Sequence, residues 1–302
     1  MSKQRPSDVM ESLSYFFVYP EVSERLIYEI NQRVNSLKDS MQYINTRHGL
    51  IDYIKSERES LQNIIMVLNV SEEYFKRIVT MIRARHGLEV SSEWSLNLTR
   101  NYFISNQWFQ DELCNLFLNG AEDKELAKLI PMYNLRAFKI DATTIARLSN
   151  SDLMWMLLKN DFNSEFSAAC SQLNLRRVED VLTTCTEEHN VALNRDISVR
   201  LAGNREQIPY AISANRESTP FIYIMVGFYL TTGSTQTSFV TKISRLKQFI
   251  KDNAQEASVV AIIDGAGWVA RHSDFEEVCS TADAVYTLNS LPEISELINE
   301  LK

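Results

Sequence analysis

Apolar side chains recur every three or four positions through the first half of the chain. Leu26, Ile30, Val34 and Leu37 mark one face of a helix that opens at an acidic turn over 21–24. Ile54, Leu61, Ile64, Ile65 and Leu68 carry the same period across 52–68. Ser71 followed by Glu72 and Glu73 predicts a helix start, a capping hydroxyl with acids at the positive end of the dipole. Tyr74, Phe75, Ile78, Val79 and Ile82 form the apolar face of that helix, and Gly87 ends it. Further helices are predicted at 106–118, 123–130, 151–159, 162–171 and 176–188. The Trp- and Met-rich run at 153–158, capped by Ser151-Asp152, reads as core.

Past residue 195 the period changes. Residues 197–201 alternate like a half-buried strand, 208–213 are a second short candidate, and 221–230 are a continuous apolar strand suited to a sheet centre. A helix over 237–252, a buried strand at 259–264, a helix near 273–280, a short strand at 284–288 and a helix over 292–301 follow. Apolar strands alternating with helices predict an α/β layer. Five of the eight glycines lie beyond residue 200, and no proline lies between Pro20 and Pro131 or between Pro131 and Pro209. The 302 residues therefore read as a mainly helical domain over 1–190 and an α/β domain over 191–302.

Composition sets outer limits. Apolar residues make up 45% and charged residues 23%, the balance of a globular protein with a real core. No apolar run approaches the roughly 18 residues of a membrane helix, and the first residues lack the apolar segment of a secretory signal. A cytoplasmic protein with no membrane partner is the expectation. The four cysteines are scattered; Cys185 and His189 share a helix turn but have no second pair to complete a zinc site, so the thiols read as reduced and packed. A net charge of −8 opposes gripping nucleic acid over the whole surface. It leaves room for a local basic face, because screening acts over about 10 Å.

One such face falls in the segment near 61–86, which has the outline of a helix-turn-helix. Lys76, Arg77, Thr80, Arg83, Arg85 and His86 would supply phosphate and base contacts, or else a solvated helix face. Trp94, Tyr102, Phe103 and Trp108 near Arg100 read as core before they read as base-stacking platforms.

The strand 221–229 ends in Phe228-Tyr229. Gly233-Ser234, a helix, and Asp264-Gly265-Ala266-Gly267-Trp268 follow in order. This series resembles the C-terminal end of the DpnII family of restriction endonucleases, over about a third of the chain. The resemblance implies a PD-(D/E)xK core, a mixed sheet flanked by helices, in which two carboxylates hold a divalent ion that activates water against a phosphodiester. The first acid falls on or near Ala211, the second on Met225 and the polar position two later on Gly227. None can bind a hard cation or move a proton, since a thioether is no ligand for Mg²⁺. Glu187, Glu188, Glu206, Glu217 and Asp264 are the carboxylates that relocated chemistry would draw on, with Asp264 and Glu206 as fallback metal ligands. Asp264 otherwise reads as a turn-builder. The basic pair Arg176-Arg177 is a further DNA-binding candidate, although the basic loop that the family carries in that region is not matched.

The fold expectation is thus α/β, a helical N-terminal region with a restriction-endonuclease-like mixed sheet behind it. The leading functional reading is a catalytically silent nuclease scaffold without cofactor, a DNA-binding or assembly subunit in defence against foreign DNA. Its partners would be double-stranded DNA and protein subunits or a second copy. The alternatives are an active Mg²⁺-dependent endonuclease with relocated acids and a protein–protein adaptor.

Overall fold

The computed structural model describes residues 5–302; Met1 to Gln4, part of the segment read for a secretory signal, lie outside the described residues. The chain divides into two compact units. One joins the stretch through Val22 to Glu165–Lys302, and the other is Ser23–Ser164. Composition changes near 190, whereas compactness divides the chain at 164/165. The short helix α1 (Pro6–Glu11) and the loop after it belong with the sheet because Val9 and Leu13 are buried in its core.

The helical unit contains most of α2 (Pro20–Ser40), then α3 (Arg47–Ser56), α4 (Ser60–Val67), α5 (Glu72–Arg85), α6 (Leu96–Ser105), α7 (Gln107–Asn119), α8 (Met132–Leu135), α9 (Ala142–Leu148) and the start of α10 (Ser151–Glu188). Ile30, Val34 and Leu37 pack with Ile54, Leu61, Ile64, Phe75, Ile78 and Ile82 in one buried cluster, as the helical period requires.

The helices depart from the sequence expectations at three places. The segment 52–68 is two helices, because Arg100 captures carbonyls at the end of α3: its Nε donates to Ile54 O at 2.8 Å and Glu57 O at 2.9 Å, and its Nη2 to Lys55 O at 2.6 Å. A guanidinium thus satisfies acceptors that a helix end leaves free. The expected helix at 123–130 is only a 3₁₀ turn, Leu126–Lys128, between Asp123, which accepts from the amides of Glu125 and Leu126, and Pro131. The three helices expected between 151 and 188 are one helix of 38 residues, since no glycine or proline interrupts it.

The other unit is built on a five-stranded mixed sheet in sequence order, β1 (Ala192–Leu201), β2 (Asn204–Ser213), β3 (Ile222–Phe228), β4 (Ser258–Asp264) and β5 (Ala284–Tyr286). β1–β2 and β2–β3 are antiparallel; β3–β4 and β4–β5 are parallel. Crossovers α11 (Ser234–Asp252) and α13 (His272–Thr281) cover one face with Phe239, Val240, Ile243, Phe275 and Val278. Val178 and Leu182 of α10 and Ile294, Leu297 and Ile298 of α14 (Ile294–Leu301) cover the other. Both faces of β3 and β4 are therefore dry, which is why their sequences run apolar without alternation. The chain is α/β, with a helical N-terminal region and a mixed sheet flanked by helices.

Candidate functional site

The parallel strands β3 and β4 end together, with Phe228 beside Asp264, and the loops beyond them carry the motif residues. Tyr229 N donates to Asp264 O at 3.0 Å, and Gly267 N donates to Tyr229 O at 2.8 Å. A side chain at Gly265, whose φ is +103°, would bring its Cβ within 2.3 Å of the Tyr229 carbonyl oxygen. One at Gly267 would come within 2.6 Å of Thr231 O. Glycine is required at both because two loops touch through their backbones. Gly267 opens α12 (Gly267–Ala270), which presents Trp268 to the core.

Trp268 is fully buried and its Nε1 donates to the Gly227 carbonyl at 3.0 Å. Its ring lies 5.3 Å from Tyr229 and 5.5 Å from Phe239, centroid to centroid, in tilted and edge-on arrangements. The Gly233-Ser234 turn starts α11. There Gln236, also fully buried, accepts from Gly233 N at 3.0 Å and donates to Thr231 O at 2.9 Å. Tyr229, Asp264, Gly267 and Trp268 are thus occupied in joining loops to strands.

The positions that the resemblance assigns to metal chemistry lie in this apolar layer. Ala211 is fully buried and Met225 nearly so, in one cluster with Tyr223, Phe239, Val240 and Ile243. A Cβ on Gly227 would stand 3.0 Å from the Phe239 ring. A divalent cation needs several oxygen donors around it, and these residues offer none; they do not fit the ion. At the end of β3 a cleft of about 260 Å³ opens, where α/β folds place ligands. Its lining holds the hydroxyls of Ser167, Ser171, Thr231, Thr232 and Thr235 beside Phe17, and no carboxylate.

Asp264 is fully buried, and four donors meet its carboxylate. Ser14 N donates to Oδ1 at 2.6 Å and Gly265 N to the same oxygen at 2.7 Å. Leu288 N donates to Oδ2 at 2.9 Å and the Ser14 hydroxyl at 3.3 Å. Burial pushes its carboxyl up, against the pull of the Leu288, Ser14 and Gly265 amides. The geometry is that of an anchor pinning three loops, with its lone pairs in use. Ser14 belongs to an N-terminal segment that sequence reasoning had no signal to place here.

The remaining carboxylates do not join it. Glu206 is paired with Lys242 Nζ at 3.0 Å, and Glu187, Glu188 and Glu217 are exposed. Among the described residues no group of three or more His, Cys, Asp or Glu is placed to hold a metal ion. Cys185 is buried and His189 Nε2 meets Ser295 Oγ at 2.9 Å.

The basic candidates fare unevenly. A four-residue turn does separate α4 from α5, and Ser71 Oγ accepts from Tyr74 N. Lys76 and Arg77, however, pair with Glu72 and Glu73 one turn earlier, and Thr80 Oγ1 donates to Lys76 O at 2.8 Å. His86 meets Glu112 at 3.0 Å and stacks on Trp108. Arg85 is exposed and helps to hold the Asp123 carboxyl below its usual range, after the Leu126 amide and the other local hydrogen bonds.

Arg83 is unavailable to a phosphate. It is nearly fully buried, its guanidinium lies 3.8 Å from the centre of the Trp94 ring, and it donates to Glu89 O at 2.8 Å and Ser92 O at 3.0 Å. Trp94, Tyr102 and Trp108 pack against the helical core, where Phe103 is fully buried. Arg176 and Arg177, in the other unit, are exposed, and Arg177 Nη2 donates to Leu288 O at 2.9 Å.

No curated protein matches the chain. Residues 161–302 match the family model of the BanI C-terminal domain, a span that takes in the whole sheet. That match does not single out the DpnII family. The C-terminal part of this chain is therefore restriction-endonuclease-like, similar to the BanI C-terminal domain.

Proposed function

We propose that this protein uses a restriction-endonuclease-like scaffold to bind duplex DNA, or to assemble subunits on it, without hydrolysing the phosphodiester. Defence against foreign DNA is the setting that such a scaffold suits. One observation carries the reading: Ala211, Met225 and Gly227 lie in a sealed apolar layer beneath Phe239 and Trp268. The restriction-endonuclease-like match supports a DNA partner.

Two measurements on the purified protein test this reading. Affinity for a duplex oligonucleotide should fall steeply as salt rises, because phosphate contacts release counterions. Supercoiled plasmid should survive incubation with Mg²⁺ or Mn²⁺. Cleavage abolished by Asp264→Ala would establish instead an endonuclease with relocated acids. Affinity that is absent at low salt would favour a protein–protein adaptor.

A further inference from the structure

β1 and β2 form a ten-by-ten-residue hairpin, and its far end holds a charge arrangement that folding alone does not explain. Ala202 and Gly203, with φ of +47° and +87°, make the two-residue turn between Leu201 and Asn204. Near the middle, Asp196 has φ of +51°, and the ladder skips it and Pro209. Across this irregularity the hairpin swaps faces. Ile208 and Ala211, three positions apart, join one core cluster, whereas Tyr210 and Ile212 join the other. Beyond it, Ile197, Val199, Leu201 and Ile208 point to the α11 side, as does Glu206, which reaches Lys242. The alternate residues Ser198, Arg200, Arg205 and Gln207 are exposed on the opposite side.

Arg200 and Arg205 are direct cross-strand partners. Like charges in that position repel across roughly 5 Å and weaken the pair. Among the described residues no carboxylate is in ion-pair contact with either. Arg205 Nε donates to the Ser198 hydroxyl at 2.6 Å, and neither arginine has an ion pair among the described residues. Asp196 sits at the irregularity, four residues before Arg200 along the strand. The contrast with α5 is direct, since Lys76 and Arg77 there, and His86 just past its end, are each matched to an acid. In a chain of net charge −8, an unmatched arginine pair on a two-stranded ribbon is an open demand for an anion.

We infer that the end of the β1–β2 hairpin is a phosphate-contacting ribbon for duplex DNA, with Arg200 and Arg205 on backbone phosphates and Ser198 and Gln207 beside them. A two-stranded ribbon fits a major groove about 12 Å wide, and guanidinium forks match phosphate oxygens. The inference rests on the DNA-binding reading above and adds the element that makes contact.

The test compares full-length protein with the Arg200→Gln/Arg205→Gln variant by fluorescence anisotropy on a mixed-sequence duplex across a KCl series, with thermal melts alongside. The variant should bind more weakly, and the slope of log affinity against log salt should shrink by about 1.8, from about 0.9 for each lost phosphate contact. Its melting temperature should be unchanged or higher, because the cross-strand repulsion is gone. A salt slope equal to that of the unmodified protein, which itself binds DNA, would overturn the hairpin assignment and leave the DNA reading intact. No salt-dependent binding by the unmodified protein would overturn both. An unchanged duplex curve with lost binding to polyglutamate would assign the ribbon to an acidic protein partner and overturn the inference.

Discussion

The indole N–H of Trp268 donates to the carbonyl oxygen of Gly227 at 3.0 Å, tying the loop after β4 to the strand position that the nuclease resemblance would give to a proton-handling side chain. That bond, with the ring packed on Tyr229 and Phe239, closes the end of the sheet by an aromatic plug. Trp268→Phe retains most of the packing but leaves a buried carbonyl without its donor, at a cost of about 1–3 kcal/mol. Trp268→Ala also opens a cavity and should cost about 3–5 kcal/mol. Urea unfolding of both variants checks the order and the gap.

Restoring an acid at the expected second position should not restore chemistry. Met225→Asp puts a carboxylate among Tyr223, Phe239 and Ile243 with no partner. The protein should lose about 3–5 kcal/mol of stability, and plasmid incubated with Mn²⁺ should stay intact. Stability near that of the unmodified protein would show that the layer is wetter than its packing indicates.

Gly265→Ala combines a left-handed backbone, φ +103°, with a Cβ 2.3 Å from Tyr229 O. The loops joined there must separate, and a loss of more than about 2 kcal/mol is expected. Ala266, one position on, has φ −61° and tolerates a side chain. Ala266→Ser should therefore fall within about 0.5 kcal/mol, as an ordinary substitution away from such features does.

Arg83→Met separates structure from recognition in the helical unit. The substitution removes the stack on Trp94 and two hydrogen bonds to Glu89 and Ser92 carbonyls, for a loss of about 1–3 kcal/mol. The salt slope of DNA binding should not move. A slope lowered by about one with stability unchanged would put Arg83 on a phosphate instead.

The pH dependence has two opposing parts. Asp141 caps α9 by accepting from Thr144 N at 3.0 Å, and that bond holds its carboxyl below the ordinary 3.8. Its folded value is depressed, so its contribution is complete above 3.8 and is lost as pH falls through the lower folded value. For a half-buried cap that water still reaches, this lies at the low end of about 0.5–2 kcal/mol. Asp264 has the opposite sign. Burial raises it, the native state holds the proton more tightly than the unfolded chain, and stability falls as pH climbs from 3.8 through the raised value. Urea midpoints between pH 2.5 and 7 should lose the first limb in Asp141→Ala and the second in Asp264→Asn.

The readable parts of the sequence were those whose causes are local. The apolar runs of β3 and β4 declare strands buried on both faces, and Ser71-Glu72-Glu73 declares the start of α5. What escaped depends on distant partners. The break between α3 and α4 is held by Arg100, more than forty positions away. The loop after α1 reaches Asp264 through Ser14 across 250 positions, and no period could announce that. The basic residues of 76–86 looked alike along the chain; only packing separates the buried Arg83 from the exposed Arg85. The hairpin is half legible, since its polar outer face reads as ordinary alternation until register sets Arg200 against Arg205.

The most direct test of the account is a nuclease assay joined to metal titration: the full-length protein with supercoiled plasmid and millimolar Mn²⁺, and isothermal titration of Mn²⁺ into the protein alone. The account predicts intact plasmid and no heat of specific binding, because an oily layer fills the ground between strands where an ion would need oxygen. Nicked or linear product, together with a saturable Mn²⁺ site lost in Asp264→Ala, would contradict it.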